Sequence, residues 1–211
     1  MNATRATYEI QFGNVERETT NNYSWDTAKF EACGHKWADL SENSSGVSLL
    51  NDCKYGYSIK KGDMSLTLIK SGTYPNEDAD IGEHRFTYSI YPHAGRWQEA
   101  KTVEMAYNLN VPMPVKRIGK QKGCGEEYDS FLHCDKESCF IEVIKKAEDG
   151  DGVIVRMYEN KNNRVRAHIT SGRALVHVYE CNLLEEKEAE LTVCGTTFET
   201  VSNHMRSKHS G

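Results

Sequence analysis

The sequence predicts an all-β protein. Apolar side chains recur at every second position in several short runs, as at Tyr8, Ile10 and Phe12 and again over residues 64–68, which is the period of a half-buried strand. Clusters of turn-forming residues separate these runs, for example at 41–46, and such clusters connect strands in hairpins. We therefore expect mainly antiparallel sheets.

The first half of the chain carries seven predicted strands. They are expected at 8–12, 30–33, 36–40, 47–50, 57–59, 64–69 and 85–91, and Pro92 is expected to stop the last one. Residues 14–22 are polar without a clear period and predict an extended loop, while 26–30 allow a helical turn. The acidic stretch 71–82 contains Pro75 and two glycines, which predicts a surface loop. Residues 99–109 fit a helix and a strand equally well.

The second half predicts a small antiparallel β-sandwich. Strands are expected at 140–144, 153–158, 164–169, 174–179 and 190–193. Their separators are short and turn-like, a spacing typical of sandwiches. A Lys- and Gly-rich stretch precedes them and predicts a linker. We divide the chain into a first domain at 1–115, a linker at 116–129, the sandwich at 130–201 and a polar tail at 202–211.

Composition excludes several classes of protein. A chain of 211 residues can bury a real core without disulfides. A net charge of −5 and a pI near 5.9 argue against nucleic-acid binding, which needs a clustered basic surface. The sequence has neither a long apolar segment nor a secretory signal, so we expect a soluble, cytoplasmic protein that does not contact a membrane. Seven cysteines without regular spacing indicate reduced thiols.

Four residues have side chains that suit zinc as a metal: Cys124, His133, Cys134 and Cys139. Their spacing matches none of the paired motifs of zinc sites, and adjacent His133 and Cys134 do not easily share a tetrahedral centre. Buried or incidental thiols are the favoured interpretation. We therefore predict no metal site in this chain.

A cysteine nucleophile would need a positioned base, and two pairs are close in sequence: Cys33 with His35, and His133 with Cys134. Neighbouring residues of a strand point to opposite faces. Packing or surface exposure is therefore favoured over catalysis for both pairs.

Two polar groups suit the binding of sugar hydroxyls or of a hard cation. The first is the acidic loop 77–80 together with His84, for which a solvated loop is the alternative. The second comprises Asp52, Lys54 and Tyr55, where strand alternation places Asp52 and Lys54 on one face. A solvated polar surface is the favoured alternative for this group too, although a polar pair between apolar neighbours in the middle of a strand is less usual.

Trp25, Trp37 and Trp97 are candidate platforms for sugar stacking. Large aromatic side chains more often anchor a core, and that alternative is favoured here.

Several long motifs resemble the C-terminal β-region of glycoside hydrolase family 38 α-mannosidases, in the branch of the cytosolic animal and many bacterial enzymes. The motifs run in order: IQFGNVERETTNNYSWDTAKFEACGHKWADLSE at 10–42, GVSLLNDCKYGYSIKKGDMSLTLIKSGTYPNEDADIGEHRFTYSIYPHAGRW at 46–97, and AYNLNVP at 106–112. Residues 140–169 and 178–186 continue the likeness more weakly. Where the family usually ends in an apolar strand, this chain runs into a polar tail.

The resemblance implies a fold: the last part of a supersandwich like that of galactose mutarotase, followed by a terminal β-sandwich. It also implies that the intact enzyme is a retaining α-mannosidase. Its two catalytic carboxylates and its zinc ion, or another divalent metal, would lie in a separate N-terminal domain. We expect that domain to be absent, so that no catalytic residue and no cofactor belongs to this chain and the isolated chain is inactive.

The expected role is a non-catalytic β-module that packs on the catalytic domain of the same polypeptide and completes the rim of its site for mannose-containing oligosaccharides. The rim candidates are Asp52, Lys54, Tyr55, Asp80 and His84. An incomplete supersandwich would expose a sheet edge and favour self-association. The alternatives are a free-standing carbohydrate-binding module for mannose-rich glycans and a mutarotase-like epimerase, for which His84 and His93 have no convincing partner by spacing.

Overall fold

The computed structural model describes residues 3–120, 122–123 and 129–202. The chain divides into two compact units, the first reaching Lys116 and the second beginning at Arg117. Both units consist mainly of antiparallel β-sheet, which confirms the predicted fold class. Part of the predicted linker, including Cys124, lies outside the described residues, and so do residues 203–211 of the predicted tail. None of the described helices is long and apolar enough to cross a membrane.

The described residues of the first unit form eight strands and two helices. In chain order they are β1 (Arg5–Ile10), β2 (Gly13–Glu18), α1 (Ser24–Ala28), β3 (Ala32–Cys33), β4 (Trp37–Ser41), β5 (Ser45–Asn51), β6 (Gly56–Lys60), β7 (Asp63–Leu66), β8 (Tyr88–Ala94) and α2 (Thr102–Asn110). Five strands form one sheet in the order β2-β1-β4-β5-β8, and β3-β6-β7 form a second.

The core of the first unit lies where these two sheets contact each other. Alternating residues of β1, β4 and β5 pack against Tyr57 and Ile59 of β6, which are at most 2% exposed. The members from the larger sheet are Ala6, Tyr8, Ala38, Leu40 and Leu49. Burial of these apolar surfaces is the main source of stability for such a sandwich.

The opposite face of the larger sheet contacts α2 and the segment before it. Trp37 of β4 stacks on Trp97 with ring centroids 4.9 Å apart, and Thr102 at the start of α2 is fully buried. The sequence allowed either a helix or a strand at 99–109, and residues 102–110 form a helix. The helix places Val103 and Ala106 among the buried residues.

The predicted hairpin over 36–50 is confirmed. Strand β4 pairs with β5 so that Ala38 lies opposite Leu49 and Leu40 opposite Val47. The predicted strand 57–59 is also present as β6, but it belongs to the smaller sheet rather than to the hairpin's sheet. The chain crosses between the two layers in the turn at 52–55.

Two predictions for the first unit are wrong. Residues 14–18, expected in a loop, form most of β2, because a two-residue turn with Phe12 at φ 53° brings Gly13 opposite Ile10 and sets the register. Phe12 itself leaves the predicted strand. Strand β8 continues through Pro92, because β8 is an edge strand and an edge tolerates a residue without a backbone donor.

Eight strands are present in the part of the second unit that the structure describes. They are β9 (Leu132–Cys134), β10 (Cys139–Lys146), β11 (Val153–Glu159), β12 (Val165–Ser171), β13 (Val178–Cys181), β14 (Lys187–Leu191), β15 (Val193–Cys194) and β16 (Thr197–Ser202). Four of them form a sheet in the order β15-β16-β12-β9, and two hairpins pair β10 with β11 and β13 with β14.

The core of the second unit is small. Cys139, Ala167 and Ile169 are buried, and partly buried Met157 and Phe198 pack against them. The three-residue strand β9 was not predicted, because it is too short to show a period. The strand expected at 174–179 begins only at Val178.

Candidate functional site at the end of strand β5

Three of the predicted rim residues occupy the turn between β5 and β6. Asp52 is exposed and lies directly after buried Asn51. Its Oδ1 atom accepts a hydrogen bond of 2.9 Å from the backbone N–H of Thr87, and its own N–H donates to the Thr87 carbonyl at 3.1 Å. This two-way link fixes the turn against the residue that precedes β8.

The hydrogen bonds at Asp52 favour an ionised carboxylate. The backbone N–H of Thr87 is the main cause that lowers the pKa of Asp52, followed by the thiol of Cys53. The hydrogen bond to the same carboxylate is the main cause that raises the pKa of Cys53, because it holds the thiol in its protonated form. The turn thus presents a charged acceptor rather than a reactive thiolate.

Lys54 and Tyr55 extend the polar surface of the turn. The Lys54 Nζ atom lies 4.9 Å from the centroid of the Phe86 ring, a cation–π contact. Tyr55 is 56% exposed, and its ring lies 5.5 Å from that of His35. An ammonium group, a carboxylate and a phenol therefore lie on one exposed turn, and groups of these kinds bind sugar hydroxyls.

Asp80 and His84 lie in the exposed loop that leads to β8. The His84 Nε2 atom is 2.8 Å from the Asp80 backbone oxygen, and Asp80 has a φ of 59°. Their interaction is local to the loop. The contacts of Asp52 and Lys54, by contrast, reach the end of this segment at Phe86 and Thr87.

Sequence reasoning missed Asn51, whose side chain accepts from the backbone N–H of Lys54 in the turn and donates to the backbone oxygen of His35 before β4. The signal that could have found it is an asparagine at the end of an apolar strand, followed by a polar turn, since asparagine side chains commonly bond to backbone N–H groups two or three residues later.

A second polar group was also missed. The Asp39 Oδ2 atom lies 2.8 Å from Nε2 of His93 and 2.7 Å from Oγ of Ser48, and Ser48 also contacts the Thr102 hydroxyl at 2.9 Å. The side chains of Asp39 and His93 are 1% and 3% exposed. The serine bonds to the carboxylate and the group is enclosed, so its arrangement suits a structural network; His93 does not face an open cleft of the kind that an epimerase needs.

The three tryptophans separate into core and surface. Trp37 and Trp97 are 1% and 3% exposed and belong to the core, whereas Trp25 in α1 is 68% exposed. Phe30, 64% exposed, lines a groove of about 520 Å³ beside β2, β3 and β6. Charged side chains such as Lys29 and Glu31 line the same groove.

The cysteines do not assemble a site among the described residues. No group of three or more His, Cys, Asp or Glu residues within that part of the chain is placed to hold a metal. Cys134 and Cys139 pack in the core of the second unit, and burial raises the pKa of Cys139 to about 11. His133 is exposed on the other face of β9, and exposed Cys33 lies on β3, whereas His35 contacts Tyr55.

Two family models match the chain. Residues 1–78 match the glycosyl hydrolases family 38 C-terminal domain, and residues 139–206 match the glycosyl hydrolases family 38 C-terminal beta sandwich domain. Together they cover parts of both units of the structure.

Curated relatives carry the same stretch as a small part of their length. The chain is 44% identical over 188 residues to alpha-mannosidase G of Dictyostelium discoideum and 37% identical over 187 residues to alpha-mannosidase 2C1 of Mus musculus. These alignments cover 87% of this chain but only 17% and 18% of the relatives. An alpha-mannosidase of Saccharomyces cerevisiae is 37% identical over 86% of this chain and 18% of its own length.

Solved structures share the fold. An alpha-mannosidase from Enterococcus faecalis superposes with a TM-score of 0.74 at 16% identity, over 94% of this chain and 24% of that one. A glycosyl hydrolase family 38 protein from the same organism gives a TM-score of 0.71 at 15% identity, over 96% of this chain and 25% of that one.

Proposed function

Since the chain belongs to the C-terminal region of glycoside hydrolase family 38, we propose that it is a non-catalytic β-module of an α-mannosidase that removes terminal α-mannosyl residues. The module packs on the catalytic domain of the same polypeptide and completes the rim of its sugar site. The observation that carries this role is the turn at 52–55, where the carboxylate of Asp52 and the ammonium group of Lys54 are both anchored to the segment before β8.

An exposed apolar surface on β8 supports the proposal that another part of the polypeptide packs on the first unit. The face of the larger sheet that forms the core continues onto β8, where Ile90 lies opposite Leu49 and Tyr88 opposite Asn51. Ile90 is 67% and Tyr88 53% exposed. A larger part of the polypeptide would cover this face, and without it the face and its free edge favour self-association.

The metal and the location are further parts of the proposal. The described residues offer no set of three metal ligands, so the divalent ion implied by the resemblance would be held by the catalytic domain. We place the enzyme in the cytoplasm, since the six described cysteines are all unpaired, which suits a reducing compartment.

The first test is an assay of the isolated chain with an aryl α-mannoside, with and without added zinc or cobalt. The expected result is no hydrolysis, while the full-length enzyme in parallel turns the substrate over. Turnover by the purified isolated chain, with contaminating mannosidase excluded, would overturn the proposal.

A free-standing carbohydrate-binding module is the second candidate, favoured by exposed Trp25 and by Phe30 at the groove. Exposed aromatic rings stack on the apolar faces of sugars. Calorimetry of the isolated chain with mannose oligosaccharides separates the two candidates. Saturable binding that Trp25→Ala or Phe30→Ala abolishes supports this second function, and no heat of binding supports the first.

A further inference from the structure

Asn51, the last residue of β5, uses both ends of its buried amide group. Its Nδ2 atom donates to the backbone oxygen of His35 at 3.0 Å and to the hydroxyl of Tyr57. Its Oδ1 atom accepts from the backbone N–H groups of Cys53 at 3.1 Å and Lys54 at 2.5 Å. One side chain therefore connects the exposed turn to the two layers of the core, since His35 precedes β4 and Tyr57 lies in β6.

The framework that holds Asn51 is itself fixed. The Tyr57 hydroxyl donates to the same His35 oxygen at 2.9 Å, and Tyr57 is fully buried. The backbone N–H of Asn51 donates to the backbone oxygen of Lys36 at 2.9 Å. The backbone oxygen of Asn51 accepts from the side-chain Nδ2 of Asn110, at the end of α2, at 3.0 Å. Asn51 is 1% exposed, so water does not compete for these bonds.

We propose that Asn51 is a positioning residue that sets the conformation of the turn at 52–55, and through it the placement of Asp52 and Lys54 toward a bound mannoside. The placement toward sugar rests on the proposed function; the control of the turn does not. Without the Oδ1 acceptor, the N–H groups of Cys53 and Lys54 lose their protein partner and the turn gains alternative conformations. The Tyr57–His35 bond is independent of that acceptor and keeps the two layers connected.

Hydrogen exchange in the isolated chain tests control of the turn without reference to activity. In Asn51→Ala, the amides of Cys53 and Lys54 should exchange at least about tenfold faster than in the wild type, whereas Tyr57→Phe, which keeps the Oδ1 acceptor, should change them less than about threefold. Asn51→Ser, which retains one acceptor oxygen on a shorter side chain, should lie between them and provides the measurement if the alanine variant does not fold. Unchanged exchange at both amides in the folded Asn51 variants would overturn the proposal.

Kinetics of the full-length enzyme test the effect on sugar binding. Asn51→Ala should raise KM for an aryl α-mannoside about tenfold and change kcat less than about threefold, which a loss of stability alone would not do. In a background that already carries Asp52→Ala and Lys54→Ala, the same substitution should add less than about twofold. A tenfold rise in KM in that background would overturn the proposal that Asn51 acts on sugar binding through Asp52 and Lys54. If the Asp52 and Lys54 substitutions themselves leave KM unchanged, the rim function fails, and the exchange experiment still decides the role of Asn51.

Discussion

The Oδ1 atom of Asp52 lies 2.9 Å from the backbone nitrogen of Thr87, a residue 35 positions later in the chain. This bond joins the turn after β5 to the start of β8 and keeps the Asp52 carboxylate ionised. A charged acceptor is thereby held at the exposed end of the larger sheet, in the same turn as Lys54.

Removing the Asp52 carboxylate should weaken substrate binding by the full-length enzyme. We expect Asp52→Ala to raise KM for an aryl α-mannoside by about one order of magnitude, because a hydrogen bond to a charged group contributes roughly 1.5–3 kcal/mol. Steady-state kinetics measures the effect. Asp63→Ala is the matched control, since Asp63 is an exposed acid at the start of β7 in the other sheet. Wild-type KM and kcat in Asp52→Ala would remove Asp52 from the rim.

The uncovered face of β8 should make the isolated chain self-associate. Tyr88 and Ile90 expose apolar surface on an edge strand, and edge strands pair readily with a second copy. We expect concentration-dependent dimers in sedimentation velocity, and their loss in Ile90→Lys, because a charge on this face opposes pairing. Ile144→Lys in β10, a residue 47% exposed, is the control and should leave association unchanged. A wild-type chain that stays monomeric at all concentrations would contradict this expectation.

Local patterns predicted the strands that carry alternating apolar residues and end in a cluster of turn formers. The β4–β5 hairpin was predictable because Ala38 and Leu40 alternate with residues of the other face and a six-residue turn cluster follows. Strand β2 was not, since it is an edge strand whose side chains are mostly polar, and its position depends on the turn at Phe12.

The polar interactions inside the first unit could not be predicted in the same way. His93 and Asp39 are 54 residues apart in sequence and meet only because β5 lies between β4 and β8. Asn51 shows no period that distinguishes it from a surface residue. Residues 52–55 were singled out for their unusual polarity but were expected within a strand; they form a turn between β5 and β6, and its anchoring by Thr87 and Phe86 depends on the sheet order.

Alkaline pH should destabilise the chain through the buried thiol of Cys139. Burial raises its pKa from 9.0 to about 11 in the folded state. Folding therefore favours the neutral thiol over the thiolate. The contribution of this preference to the free energy of unfolding is fully present below pH 9 and is lost as the pH rises to about 11. The loss amounts to at most about 3 kcal/mol.

Urea unfolding followed by circular dichroism at pH 8 and pH 10.5 measures this loss. Cys139→Ala should show a smaller decrease in the free energy of unfolding between the two pH values than the wild type. Cys194→Ala, which removes an exposed thiol, is the control and should behave as the wild type. Equal decreases in wild type and Cys139→Ala would contradict the assignment. Burial raises the pKa of Tyr8 from 10.0 to about 12, so its contribution is lost between those pH values and adds equally to the decrease in all three proteins.

The buried carboxylate of Asp39 should be the most sensitive polar position of the first unit. Asp39→Ala removes the partner of the His93 ring and leaves the Ser48 hydroxyl only its contact with Thr102, and each buried polar group that loses its partner costs about 1–3 kcal/mol. Ser48→Ala removes the contacts of Ser48 with Asp39 and Thr102 but keeps the Asp39–His93 pair, and it should cost less, about 1–2 kcal/mol. Tryptophan fluorescence during urea unfolding reports this unit alone, because all three tryptophans precede residue 98. A free energy of unfolding for Asp39→Ala within about 0.5 kcal/mol of the wild type, the range of ordinary surface substitutions, would show that the network does not stabilise the sheet.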